Sequence, residues 1–481
     1  MLAAAALNGA IWITVSRLIG RLIDFLNLLI LARMLSPEDF GITALAMALV
    51  MIIEMILEIP VSQALVRLPF IEKHHYDTGF TLGILKSLIV GIVIFVCAMP
   101  YTWINGDPAL LPVICTLAIA PVVKGLSSPC MVVYARNIDF RPTFLADTCS
   151  KIVGLIAALL IVYSGGEYWA LVGNFVVAAC IGTIMTYILA PYRPALSLSR
   201  LQDFSGFIGW YTASQIVSAV NWQFDRLLMG SLAGGKAMLG NYTMASDIAA
   251  LPTQTLIGPA LQPLLAAFSR VNSDRERAGL VFLKAARIGM LISIPACSGL
   301  ALTSDVVAEI LLGPKWLYAG QYLSPLAFAA IPLPYILIMN ALCLALDRAN
   351  YVFRVNLISL LILVPAISIG YLLRSVDGVI WARLATSFVM FLVCLIQIRD
   401  LTDVSLRAQF RNLWKPGVAG IAMAVAVSSA HPAIETTNLA AIIKLLIFAS
   451  VGAAVYGVTL FVLGLRMEIG RRRFAVYDRQ S

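Results

Sequence analysis

The sequence predicts an all-α, polytopic membrane protein of about fourteen transmembrane helices, organised as two six-helix bundles and a C-terminal helix pair. Three observations predict it. Sixty per cent of the residues are hydrophobic and only 12% are charged, with a mean hydropathy of +0.91. A soluble domain carries about 25% charged residues, so the 481 residues here cannot cover a water-facing globule and lipid must be the solvent for most of the surface. Apolar runs of about twenty residues, the length that crosses the hydrocarbon layer, recur with short polar joints between them. Lysine and arginine concentrate in every second joint, as loops on alternate sides of a membrane require.

Span 1, residues 10–32, follows a start that lacks a basic segment and an evident cleavage site, so it reads as an uncleaved anchor. Spans at 40–59, 81–103, 110–133, 143–163 and 168–190 complete a first set of six and predict a bundle over 1–198. Spans at 204–230, 239–261, 280–302, 322–346, 352–373 and 376–398 predict a second over 199–400. In span 10 (322–346), Pro325, Pro332 and Pro334 predict a kink, which a membrane tolerates where neighbours satisfy the freed carbonyls. Spans 13 and 14, at 414–430 and 439–464, fill 401–481 together with a basic tail.

One set of joints holds Arg67, Lys73, Arg136, Arg141, Arg193, Arg200, Arg270, Arg275, Arg277, Arg348, Arg399, Arg407, Arg411 and Lys415. The alternate joints hold only Arg33, Lys236, Lys315 and Arg374. The asymmetry puts both termini in the cytoplasm and favours an even number of spans. The tail carries Arg466, Arg471, Arg472, Arg473 and Arg479, a cluster that anchors topology or lies against anionic headgroups. The net charge of +9 therefore reflects membrane topology and not a nucleic-acid surface. Eight scattered cysteines without a Cys-x-x-Cys pair, and three histidines, support neither a disulfide framework, a metal site nor a cofactor.

Charges inside the spans mark candidate sites, because ionisable groups in lipid are costly and face a cavity or a partner. Span 1 carries Thr14, Arg17, Arg21 and Asp24 at spacings of three or four, hence on one helical face. Span 7 repeats the device with Ser214, Ser218, Asn221 and Asp225, followed by Arg226. Two such stripes on corresponding helices read as two walls of one cavity. Glu54 and Glu58 on span 2 lie at the same depths as Arg21 and Arg17, roughly 16 and 10 Å inside. That coincidence predicts either two ion pairs locking the first hairpin or a role toward a substrate. Lys86, Lys124, Lys151, Lys284, Arg287 and Arg383 are further intramembrane cations, most of them near enough to the cytoplasmic end to snorkel. Asp147 and Asp247 are candidates to pair with them or to carry a coupling proton or sodium ion.

The joints also repeat. Span 1 leads into Ala32-Arg-Met-Leu-Ser-Pro-Glu-Asp-Phe-Gly41 and span 7 into Ser231-Leu-Ala-Gly-Gly-Lys-Ala-Met-Leu-Gly240, in corresponding places of two six-span halves. Parallel halves related by an axis along the membrane normal commonly enclose a central cavity, a transporter architecture.

The first of those strings resembles the signature that follows the first helix in Wzx-type polysaccharide exporters of the multidrug/oligosaccharidyl-lipid/polysaccharide exporter superfamily. Gln63-Ala-Leu65, Asp139-Phe-Arg141, Trp169-Ala-Leu171, Asp225-Arg226, Gly240-Asn-Tyr242 and Gly313-Pro-Lys-Trp316 fit the same family in order and spacing, over most of residues 1–350. The resemblance implies two six-helix bundles in a V that open alternately to each side of the bacterial inner membrane. It further implies a flippase whose cargo is a polyprenyl-diphosphate-linked oligosaccharide, with membrane lipids and polysaccharide polymerase and assembly proteins as partners. On that reading Arg17, Arg21 and Arg226 hold the diphosphate, since a guanidinium offers parallel donors to two oxygens, and Asp24, Ser214, Ser218, Asn221 and Asp225 complete the cavity. Glu54, Glu58 and Asp247 would serve coupling or ion pairing.

Two alternatives stand beside it. Glu54, Glu58, Asp24 and Asp225 also suit a cation-coupled drug or small-molecule exporter, and a non-transporting scaffold of a polysaccharide assembly complex would leave both charge stripes unexplained. An enzyme fits poorly: the largest outer joint, 303–321, carries only Asp305, Glu309 and Lys315 as ionisable groups of catalytic use, and His74 and His75 read as part of a solvated cytoplasmic turn.

Overall fold

The computed structural model describes residues 19–59, 61–62, 65, 70–137, 139, 141–201, 216–230, 235–258, 261–269, 274–346, 348–437, 439–470 and 473–478. Among these, eight helices are long and apolar enough to cross a membrane, and ten if each of two bent pairs counts as one span. The chain packs as two compact units, Met1–Thr243 and Met244–Ser481. That boundary falls inside a helix, while bundle boundaries at 198/199 and 400/401 stand as a proposal from the repeat.

In the first unit a helix over 19–34 (α1) turns at Leu35 into α2 (Pro37–Ile56). Ser36 caps α2: its hydroxyl accepts from the Asp39 amide at 3.3 Å, the Asp39 carboxylate accepts from the Ser36 amide at 2.8 Å, and Pro37 sits at the first helical position. The Ser-Pro-Glu-Asp string is therefore a helix start in which each group satisfies an otherwise orphaned donor. Helix α3 (Lys73–Asn105) follows. It exposes Leu85, Leu88, Ile89, Ile92, Phe95, Val96 and Met99 and buries Ser87, Val90, Ile94 and Ala98. A helix apolar on its outward face as well as its inward one is built for lipid.

Span 4 is not the straight helix its hydropathy predicts. Leu110–Lys124, comprising α4 (Leu110–Leu117) and α5 (Ile119–Lys124), meets Pro129–Arg136, which ends in α6 (Val132–Arg136), at 59°. Helix α8 (Trp169–Leu189) stitches the break. Thr183 donates to the Val123 carbonyl at 3.1 Å and Tyr187 to that of Leu126 at 2.8 Å, while the Ser128 amide donates to Thr186 Oγ1 at 3.0 Å. Freed backbone groups at membrane depth need such partners. Helix α7 (Arg141–Tyr163) packs on α8 through Ala146, Ser150, Gly154 and Ala158, one small residue per turn. A Cβ on Gly154 would lie 2.6 Å from Asn174 Oδ1, so the close approach of the pair depends on that stripe. A helix over 216–230 (α9) and α10 (Lys236–Leu256), which runs on into the second unit, complete this part.

The second unit continues with α11 (Leu261–Ser269), α12 (Arg275–Leu302) and α13 (Ser304–Leu311), so the joint 303–321 is largely helical. Span 10 is broken, as its prolines predict: Pro314–Ala330, whose main helix is α14 (Leu317–Ala330), meets α15 (Leu333–Ala345) at 40°. Ser293 donates to the Ile331 carbonyl at 3.0 Å and Ser387 to that of Ala329 at 2.5 Å. Spans 4 and 10 are thus both broken, and both are re-satisfied by side-chain hydroxyls. Spans 11 and 12 form one continuous stretch, α16 (Ala349–Thr402), interrupted only by the non-helical Arg374 and Ser375. The core here is a ladder of rings: Tyr335 meets Phe282 and Phe391 edge to face, its ring centroid 5.1 Å from each of theirs. Helices α17 (Leu406–Glu435) and α18 (Ala441–Val462) end the helical part.

The all-α architecture carries one short addition. After Gly464, β1 (Leu465–Gly470) and β2 (Arg473–Asp478) pair antiparallel, with Met467 opposite Val476 and Ile469 opposite Phe474. In the sequence the period-two pattern of Leu465, Met467 and Ile469 is interleaved with Arg466 and Glu468 and followed by a run of arginines.

Candidate functional site

The first unit holds two clusters of paired intramembrane charges. Glu54 lies in the last turn of α2 and Glu58 just beyond it, because α2 ends at Ile56. Lys86 of α3 pairs with Glu58, and Lys124, at the end of α5, lies 3.8 Å from Glu54. The Lys124 ammonium also sits 5.0 Å above the Phe175 ring, a contact that partly replaces lost hydration. All four charged side chains line a cavity of about 360 Å³ together with Ser62, Ser87, Ser127 and Ser128. A second cluster joins α1 to α7: Lys151 Nζ is 2.8 Å from Asp24 Oδ1 and donates to Asp24 Oδ2 at 2.9 Å and to the Gly20 carbonyl at 3.4 Å.

Both glutamates are thus engaged by lysines of spans 3 and 4, and Asp24 by a lysine of span 5, pairings that matching depth along spans 1 and 2 did not reveal. Depth fixes height in the membrane but not the direction a side chain faces. Arg17, half of the expected Arg17–Glu58 pair, lies outside the described residues, as does Ser214. Arg21 is exposed on α1. On α9, Ser218, Asn221 and Arg226 are half-buried. Asp225 is buried: its Oδ2 accepts from the Tyr242 hydroxyl at 2.5 Å and its Oδ1 from the Arg226 amide at 2.9 Å. The strings Asp225-Arg226 and Gly240-Asn-Tyr242 meet in that bond. Asp247 is half-buried on the part of α10 that belongs to the second unit.

The starts of α2 and α10 also meet. A Cβ added to Gly41 would lie 1.8 Å from the Lys236 carbonyl oxygen, and one added to Gly240 would lie 1.8 Å from that of Pro37. The starts of α2 and α10 therefore cross with a glycine of each against the backbone of the other. Beside them Lys236 Nζ pairs with Asp107 at 2.6 Å.

His74 and His75 do not form a solvated turn. They belong to the first turn of α3, where His75 and Asp77 are buried. His75 Nδ1 accepts from the Glu72 amide at 3.1 Å, and the Tyr192 hydroxyl donates to Asp77 at 2.7 Å. Burial, and that bond to Asp77, push the Tyr192 phenol above its ordinary pKa.

This architecture recurs in solved structures. A lipid II flippase MurJ in an inward closed conformation superposes with a TM-score of 0.77 at 13% identity, covering 94% of this chain and 98% of that one. An inward-facing multidrug resistance MATE family transporter of the MOP superfamily gives 0.61 at 16% identity, covering 82% and 99%. The chain shares the fold of these two solved proteins. Residues 30–321 match the family model described as polysaccharide biosynthesis protein, and the chain belongs to that family. Among curated relatives, the lipopolysaccharide biosynthesis protein WzxC of Escherichia coli (strain K12) is 21% identical, over 85% of this chain and 84% of its own length. The teichuronic acid biosynthesis protein TuaB of Bacillus subtilis (strain 168) is 22% identical over 94% of both chains, and the succinoglycan biosynthesis transport protein ExoT of Rhizobium meliloti (strain 1021) is 26% identical over 64% of this chain and 62% of its own. The resemblance to Wzx-type exporters drawn from the sequence is borne out.

Proposed function

We propose that the protein is a flippase that moves a polyprenyl-diphosphate-linked oligosaccharide from the cytoplasmic to the outer leaflet of the bacterial inner membrane by alternating access, for export of an exopolysaccharide, capsule or O-antigen. The observation that carries this reading is the charge-lined cavity at membrane depth in the first unit, where Lys86 and Lys124 stand with their partners Glu58 and Glu54. Such a chamber suits a polar head group, and its lysines can exchange carboxylate partners for the oxygens of an anionic cargo. The names of the relatives, a succinoglycan transport protein among them, point the same way.

Arg17, Arg21 and Arg226 bind the diphosphate in this proposal, Ser214, Ser218 and Asn221 contact sugar, and Asp225 and Asp24 hold neighbouring cations in place. The prenyl tail stays in lipid. An inside-negative potential drives each negative charge outward and releases about 2.3 kcal/mol per 100 mV, which favours export. Both termini face the cytoplasm, and polymerase and assembly proteins receive the product.

Proteoliposomes carrying a fluorescent polyprenyl-diphosphate oligosaccharide provide the test. Flipping by wild type that collapses in Arg21→Ala, at equal protein level, supports the assignment. Normal flipping in both Arg17→Ala and Arg21→Ala sinks it. A cation-coupled small-molecule exporter is the second reading, favoured by the opening of Glu54 and Glu58 onto a cavity; it predicts no glycan flipping under any ion gradient.

A further inference from the structure

A second cavity, of about 490 Å³, lies wholly within the second unit, between the first turns of α14 and the start of the span that follows Ser375 in α16. Its volume falls in the range of small-molecule sites, roughly 300–1,000 Å³. Gln321, Tyr322, Ser324, Phe328, Asp377 and Trp381 line it. Tyr322 is buried, whereas Trp381 exposes 57% of its surface and Asp377 and Gln321 are exposed. Neither Asp377 nor Gln321 makes a hydrogen bond or ion pair among the described residues.

An accessible indole beside an uncommitted carboxylate, an uncommitted amide and a hydroxyl is the chemistry that takes a sugar. The ring face packs against the apolar C–H face of a pyranose, while carboxylate and amide together accept from and donate to vicinal hydroxyls. An interfacial tryptophan that merely anchors a span needs only a lipid–water boundary. It does not need a concavity with Asp377 and Gln321 presented from two different helices. The cavity sits at the end of the unit that holds the Arg374–Ser375 turn, opposite the ends that carry Arg348 and Arg399, and the charge asymmetry of the joints assigns that end to the outside.

We infer that this cavity is an outward-facing glycan subsite, which takes one or two sugar residues of the cargo after translocation. Trp381 supplies the stacking face and Asp377 and Gln321 the hydroxyl partners. The inference rests on the glycan-flippase reading. It adds a place where the sugar is held on the far side, so that the head group does not fall back as the transporter resets.

The test is saturation-transfer NMR on the full chain in lipid nanodiscs, with the lipid-free oligosaccharide repeat unit of the native polysaccharide as probe. Sugar C–H signals are expected for wild type and absent for empty nanodiscs. Trp381→Ala should weaken binding about five-fold, equivalent to roughly 1 kcal/mol, Trp381→Phe should recover most of it, and Asp377→Asn should weaken it without disturbing the fold. Equal signals in wild type, Trp381→Ala and Asp377→Asn would overturn the subsite. So would the absence of signal from a wild-type sample that flips the lipid-linked glycan, an outcome that leaves the transport reading intact and returns Trp381 to the headgroup belt. Failure of both flipping and binding would bring down the transport reading as well.

Discussion

Lys86 and Glu58 form the tightest charge pair of the first cavity, and their side chains expose only 18% and 32% of their surface. Removing one partner strands the other. Lys86→Met should cost about 1–3 kcal/mol, less than the 3–5 kcal/mol of a fully buried pair because the cavity admits some water. The double variant Lys86→Met/Glu58→Gln should recover most of the loss, since an apolar or neutral pair of similar volume carries no stranded charge. Thermal unfolding followed by size-exclusion chromatography in detergent reads both. A double variant no more stable than the single one would mean the two residues do not act as a pair. Tyr242→Phe is the corresponding probe on α9 and α10. It leaves buried Asp225 without the hydroxyl that donates to it at 2.5 Å and should cost about 1–3 kcal/mol in the same assay.

At the scale of elements, close crossings of backbone decide the packing. Gly41→Ala and Gly240→Ala each put a Cβ 1.8 Å from a carbonyl oxygen of the other helix, a clash that no side-chain rotation relieves. Each should lower the unfolding midpoint by the equivalent of about 1–3 kcal/mol or more. Gly457→Ala, on a face of α18 with nothing within 4 Å of the added carbon, should be neutral or slightly stabilising, because alanine is the better helix former. Most helices were legible in the hydropathy, and the kink of span 10 in its three prolines. The 59° break of span 4 was signalled locally by Gly125-Leu-Ser-Ser-Pro129, a turn-like string between two apolar runs, but the hydroxyls that satisfy it were not legible, since they come from Thr183 and Tyr187 of α8, some sixty positions away in sequence. The charged residues were legible as exceptions within apolar runs. Their partners were not, since Glu58–Lys86 and Asp24–Lys151 depend on which way each helix is rotated. The start of α3 was hidden for a related reason: Lys73, His74 and His75 look like a polar joint until the burial of His75 and Asp77 is seen.

For the molecule as a whole, the direction of transport hangs on sidedness, and sidedness hangs on where the basic joints lie. The joint after α8 carries Arg193 and Arg200, while the joint between α7 and α8 carries no basic residue at all. The charge rule therefore puts Ser199 inside and Ser164 outside; both are exposed, so a cysteine at either can report. In a background with the eight native cysteines replaced, a membrane-impermeant maleimide applied to intact cells should label Ser164→Cys and spare Ser199→Cys until the membrane is opened. Thr437→Cys, exposed in the joint between α17 and α18, should label from outside as well. Agreement of the two outer sites, more than two hundred residues apart, would fix an even number of spans between them and keep both termini cytoplasmic. The reverse pattern would place the Trp381 cavity on the cytoplasmic side, where it would meet the glycan before translocation instead of after it. Labelling at Ser164→Cys without Thr437→Cys would mean an odd number of spans between the two sites, and the count of about fourteen would have to change.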